Sequence, residues 1–106
     1  MYKVLIRPSA ERDLASLYAY IRVARGDSAI AIAYLRRIRT FCEGLATLPL
    51  RGIRRDDLRP GLRIISFERR LVIAFTVTAE SVVIGRVFYG GRDFEALLGD
   101  DAGDLP

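Results

Sequence analysis

The 106 residues contain no histidine, one cysteine and one lysine. A serine or cysteine nucleophile needs a general base, and without histidine the usual one is missing. Cys42 alone can form neither an internal disulfide nor a cysteine-rich zinc site. Asp56 and Asp57 are only an adjacent acidic pair, so no metal and no cofactor is expected. Gly90 and Gly91 by themselves do not make a phosphate-binding loop. No apolar run is long enough for a membrane span. Residues 1–20 carry Glu11, Arg12 and Asp13 where a signal peptide would need an apolar core. The expected setting is the cytoplasm, with no membrane partner.

What the chain does have is arginine. Sixteen of its 17 basic residues are Arg, the exception being Lys3. Residues 93–106 hold five acids, Asp93, Glu95, Asp100, Asp101 and Asp104, and no base. Residues 1–92 therefore carry 17 basic and 8 acidic groups, a net of +9. A basic body with an acidic tail is suited to nucleic acid or to an acidic protein partner. Arginine bias through genomic composition is the competing explanation.

With 51% hydrophobic residues, one folded domain is expected. It is placed at residues 1–98, with an acidic tail at 99–106 and fraying across 96–106. Tyr2 to Arg7 reads as a strand stopped by Pro8. Ser9 is the expected cap of a first helix, whose apolar face carries Leu14, Leu17, Tyr18 and Ile21 at helical spacing. Gly26 stops it. Asp27 or Ser28 caps a second helix with the stripe Ala31, Tyr34, Leu35, Ile38, Phe41, Cys42 and Leu45, ended by Pro49. Cys42 is read as a buried small hydrophobe.

From Leu62 the period changes. Leu62–Phe67, Leu71–Val77 and Val82–Tyr89 read as strands joined by short turns at 68–70 and 78–81, which implies antiparallel neighbours. The continuous apolar run 71–75 marks a central strand. The result is a two-layer α+β fold, an N-terminal helical hairpin packed on a small, mainly antiparallel sheet.

Two stretches carry candidate chemistry. "RGIRRDDLRPGLR" at 51–63 sets Arg51, Arg54, Arg55, Arg59 and Arg63 around a Pro60–Gly61 turn. Such guanidiniums can clamp phosphates, bind a partner's carboxylates, or pair with Asp56 and Asp57. "RVFYGGRD" at 86–93 brings Arg86, Tyr89 and Arg92 to the end of the last strand. Metal-free RNA cleavage would need a base, and arginine hardly loses its proton. Strict alternation puts Ile84, Arg86 and Phe88 on one side and Val83, Gly85, Val87 and Tyr89 on the other. Arg86 and Tyr89 then face apart unless the strand bulges, and Arg86 has the alternative of pairing with an acid near the sheet edge.

Four stretches together resemble the ParE-like toxins of bacterial toxin–antitoxin modules, within the RelE/ParE superfamily. They are "PSAERDLASLYAYI" at 8–21, "AIAYLRRIRTFCEGLATLPLRG" at 31–52, "RRDDLRPGLR" at 54–63 and "VVIGRVFYGGRD" at 82–93, spanning roughly residues 3 to 95. The resemblance implies a toxin of a type II module, neutralised by a small antitoxin encoded beside it in a hetero-oligomer, with operator DNA reached only through that antitoxin. ParE-type members inhibit DNA gyrase by protein binding; RelE-type members are ribosome-dependent mRNA endonucleases. The missing lysine cluster after the second helix favours gyrase inhibition over enzymatic activity. Tyr89 stands where the family often has histidine, and Gly91 replaces a commonly larger residue. If the chain were a nuclease, Arg63, Arg86 and Tyr89 would be the catalytic set. The expected target or antitoxin contacts are Arg54, Arg55, Arg59, Arg63, Tyr89 and Arg92. A non-toxic member that only binds its antitoxin is the third reading.

Overall fold

A computed structural model of the protein describes residues 1–90 and 93–100. The elements run β1 (Lys3–Ile6), α1 (Pro8–Arg25), α2 (Ser28–Gly44), β2 (Ile53–Arg54), β3 (Arg63–Phe67), β4 (Leu71–Val77), β5 (Ser81–Tyr89) and α3 (Phe94–Asp100). The strands form one mixed sheet in the order β1-β5-β4-β3-β2. Only the β1–β5 pairing is parallel; the other three are antiparallel, so the sheet is mainly antiparallel as expected. The apolar run 71–75 does lie in the central strand.

The helical hairpin follows from local chemistry. Pro8 occupies the first turn of α1, where its missing N–H costs nothing. Arg7 is the N-cap and offers no side-chain bond, so Ser9 is not the cap. Its hydroxyl instead donates to the carbonyl of Gly85 at 2.7 Å. Gly26 takes φ 65° after α1, and the Asp27 carboxylate accepts from Ala29 N–H at 2.8 Å to start α2. α2 ends at Gly44, five residues before Pro49, because the chain already turns there to bring Ala46 O to Tyr2 N–H at 3.1 Å.

Leu14, Leu17 and Ile21 of α1 and Ile38 and Cys42 of α2 are buried, with Leu45 just beyond and Leu35 partly buried beside them. They meet Leu71, Ile73, Phe75, Val82, Ile84 and Val87 from the sheet. Burial pushes the Cys42 thiol up to about 11, so it is protonated and inert at neutral pH.

The other sheet face is covered as well. Leu98 of α3 is buried with Leu62, Ala74 and Phe88, and Phe94 packs beside them. Fraying from residue 96 is therefore not what the chain does as far as Leu98. Two leucines and a phenylalanine outweigh the glycine and acids because the sheet's second face needs an apolar cover. The tail beyond Asp100 lies outside the described residues.

β5 carries an irregularity that strict alternation misses. Ala74 pairs with Arg86 while Phe75 pairs with Ile84, which leaves Gly85 as an extra residue, a β-bulge. Ile84 thus shares the hairpin face with Val87 and Tyr89, contrary to the simple period-2 assignment. The bulge precedes Arg86, so Arg86 and Tyr89 still point apart. The turn from β3 to β4 is held by Glu68 and Arg69, both with positive φ, the geometry that suits the twist of a hairpin.

The arginine-rich segment is not all loop. β2 joins the sheet edge, with Ile53 opposite Ile64 and Arg54 opposite Arg63. This close approach depends on Gly52. At φ 81° a Cβ there would sit 2.3 Å from the Ile64 carbonyl oxygen. Gly61 also has a positive φ, 78°, but open space around it. Gly52→Ala should therefore cost about 2 kcal/mol or more and loosen β2, whereas Gly61→Ala should cost only about 1 kcal/mol of backbone strain. Urea midpoints of the two variants, with amide exchange at Ile64, check this; equal costs would rule out the steric account.

Candidate functional site

The structure separates the sequence-predicted residues into three places. The first is the segment 51–63 at the β2 edge. Arg63 donates through Nη1 to the carbonyls of Leu50, at 3.0 Å, and Arg51, at 3.5 Å. It fastens the incoming segment to the sheet rather than facing outward. Arg55 bonds both oxygens of Asp57, at 2.9 and 2.8 Å, and also reaches Glu95 of α3. That pairing ties α3 to the segment, and it holds the Asp57 carboxyl below its ordinary value. Arg54 pairs with Asp56 at 3.0 Å, and both side chains are half or more exposed. The Gly61 N–H, with Arg54 second, likewise keeps Asp56 low. Arg59 is partly buried, lining a small hollow beside Leu62 and Gly85. Around this edge, Leu48, Leu50 and Ile53 are 60, 66 and 67% exposed, a run of aliphatic surface beside basic residues.

The second place is Arg86. Its guanidinium binds the Asp13 carboxylate of α1 through two bonds, Nε to Oδ2 at 2.8 Å and Nη2 to Oδ1 at 3.2 Å. Asp13 Oδ2 also accepts the Val87 N–H at 2.8 Å. The two side chains are only 15% and 13% exposed. The pair exists because β1 ends at Ile6, opposite Ile84, and leaves the outer edge of β5 bare beyond it. Ser9 and Asp13, one helical turn apart on α1, then satisfy Gly85 O and Val87 N in place of a strand. Arg86 is thus the partner of an acid at the sheet edge, the structural alternative offered by the sequence.

The third place is Tyr89, on the hairpin face. Its ring lies 5.9 Å from Tyr20 of α1 and 6.1 Å from Tyr34 of α2. Neither Arg63 nor Arg86 joins it, so the three residues of the nuclease reading are not brought together. Arg92 lies outside the described residues. Sequence reasoning missed Asp13, Tyr20, Arg25 and Arg70. Tyr20 and Arg25 lie off the apolar stripe of α1, and Arg70 was placed only in a turn, so no local signal ties them to β5. Asp13 was visible as a charge one position before Leu14, without a partner in view.

Around Tyr20 and Tyr89 two hollows open. One, of about 340 Å³, is walled by Ser16, Leu17, Val87 and Gly90. The other, of about 480 Å³, is walled by Arg25, Tyr34, Arg37, Glu68 and Arg70. Arg37 is bound to Glu68 by two bonds of 2.9 and 3.0 Å, which keeps the Glu68 carboxyl below its ordinary value. Burial first, then the neighbouring Tyr89, raises the Tyr34 phenol, which stays a neutral donor. What this arrangement offers is shape, aromatic surface and positive charge.

Comparison with known proteins agrees with this fold. The family model described as the ParE toxin of the type II toxin–antitoxin system parDE matches residues 4–94. Toxin ParE3 of Caulobacter vibrioides is 39% identical over 70 residues, covering 66% of this chain and 69% of that protein. A chain from the chromosomal ParDE system of P. aeruginosa superposes with a TM-score of 0.73 at 23% identity, over 84% of this chain and 96% of that one, a likeness of fold. Among the described residues, no helix is long and apolar enough to cross a membrane. With the family match running from β1 into α3, the chain belongs to the ParE toxin family of type II toxin–antitoxin systems.

Proposed function

We propose that this toxin acts by binding DNA gyrase in the cytoplasm and is neutralised by a cognate antitoxin. One observation carries the choice of a binding mechanism over a nuclease. Arg86 is bound to Asp13, Arg63 holds the carbonyl of Leu50, and Tyr89 sits on the opposite sheet face from Arg86, so the set Arg63, Arg86 and Tyr89 is not assembled around one phosphate. Family membership supports the gyrase target, and operator DNA is reached only through the antitoxin.

The target-facing surface in this reading is the β2 edge. Leu48, Leu50 and Ile53 supply apolar contact, and Arg54 supplies charge. The Arg54–Asp56 pair is exposed on both sides, so exchanging it for a partner's carboxylate costs little. Arg55 and Arg63 hold that edge in shape, and Arg59 completes it; Tyr89, on β5 away from this edge, and Arg92 are proposed for antitoxin contact instead.

The test is induction without the antitoxin, followed by a supercoiling assay with purified toxin and transcript mapping from the same cells. The expected result is lost supercoiling with intact transcripts, and about tenfold weaker inhibition by Arg54→Glu. Transcripts cut within codons, with supercoiling unchanged, would sink the gyrase reading.

A further inference from the structure

The Tyr20–Tyr89 pair divides two hollows of opposite character, and the β2-edge surface uses neither. The first hollow is lined, besides the two tyrosines, by Ser16, Leu17, Val87 and Gly90. It lies where the outer edge of β5 has no neighbouring strand. The second contains three guanidiniums and one carboxylate. Glu68 cancels Arg37, but Arg25 and Arg70 are exposed and have no acidic partner among the described residues. Tyr20, between the hollows, is 60% exposed and open to a partner on both sides.

This pattern selects among ligands. A nucleotide would use the arginines and stack on tyrosine, yet Glu68 stands at the charged end and the Leu17–Val87 hollow would go unfilled. An apolar helix would fill the first hollow and leave Arg25 and Arg70 without partners. A peptide with an aliphatic side chain followed closely by an acidic one matches both ends.

We infer that a segment of the cognate antitoxin lies across Tyr20 and Tyr89, seating an aliphatic side chain against Leu17 and Val87 and a carboxylate between Arg25 and Arg70. The inference rests on the antitoxin reading above and adds the docking position and the order of the partner's side chains. Tyr20 acts as the aromatic anchor between the two subsites, the role in which tyrosine contributes most to protein interfaces. The two arginines supply selection for an acidic partner and steer its approach.

The experiment titrates the purified toxin with the small protein encoded beside it, by calorimetry at two salt concentrations. Tyr20→Ala is expected to weaken binding about tenfold, and Arg25→Glu with Arg70→Glu by at least as much. The charge-reversed protein should also lose most of the salt dependence. Arg12→Glu with Arg36→Glu, an equal charge change on exposed positions outside both hollows, should change affinity by no more than about twofold. All these positions are exposed, so the variants should keep the wild-type fold, checked by circular dichroism. Unchanged affinity in Tyr20→Ala and in the Arg25/Arg70 variant would overturn the docking position. So would an equal loss in the control, which would reduce the effect to net charge. Competition by ATP at the wild-type site, or loss of gyrase inhibition with antitoxin affinity intact, would assign the hollows to another ligand. If the wild type itself neither binds the antitoxin nor is relieved by it in growth, the antitoxin reading fails first, while the supercoiling assay still tests the toxin.

Discussion

Asp13→Ala is expected to destabilise the protein by about 3–5 kcal/mol, the range for removing one partner of a buried ion pair. The loss has two parts. Arg86 keeps its charge at 15% exposure with its two-bond partner gone, and the Val87 N–H loses its acceptor. An unsatisfied buried donor costs about 1–3 kcal/mol by itself. Asp13→Asn separates the parts, because an amide oxygen can still accept from Val87 while the charge is removed. It should therefore be milder than alanine. Arg86→Met together with Asp13→Ala should be less harmful than the sum of the two single changes, since the stranded charge is gone. Urea denaturation of the four variants gives the cycle; additive losses would mean that the two side chains do not act as a unit.

Phe75→Ala should have an effect of similar size, about 3–5 kcal/mol. Phe75 is fully buried in the central strand, beneath the helical hairpin, with strands on both sides. The core cannot close over the missing ring without bending β4. Phe75→Leu keeps most of the volume and should cost under about 1.5 kcal/mol. Leu98→Ala is the useful contrast. Leu98 is as well buried, but it sits on the short, seven-residue α3, which covers the smaller of the two core clusters. Its loss can be relieved by local undocking of α3, which limits the cost to what that docking contributes. A total stability of about 5–15 kcal/mol makes Phe75→Ala a near-complete loss for a marginal domain. Thermal and urea unfolding should rank Phe75→Ala well below Leu98→Ala; the reverse order would show that α3 is integral to the core.

Much of the architecture was legible because it rests on short-range signals. Helical spacing in 14–21 and 31–45 marked the buried faces, and Gly26 with Asp27 marked the joint between the helices. The apolar run 71–75 marked the central strand. β2 was not legible, since two residues carry no period and their pairing depends on space left beside Gly52. α3 was hidden for another reason. Its glycine and acids read as an end, and only the uncovered sheet face at Leu62, Ala74 and Phe88 makes it a helix worth docking.

The sequence by itself determined the basic body, the absence of histidine, the hairpin-on-sheet fold and the family landmarks at 54–63 and 82–93. The tertiary structure alone decided where those landmarks sit and which side chains they meet. The Gly85 bulge sets which residues follow Ile84 onto the hairpin face, and Asp13, 73 residues away in the chain, binds the Arg86 guanidinium. Tyr89, the residue with the least local explanation, gains its neighbours Tyr20 and Tyr34 only when both helices close over β5. Pattern along a chain reports on neighbours within a few residues; a site built from α1, α2 and β5 exists only once long-range packing has brought them to one place.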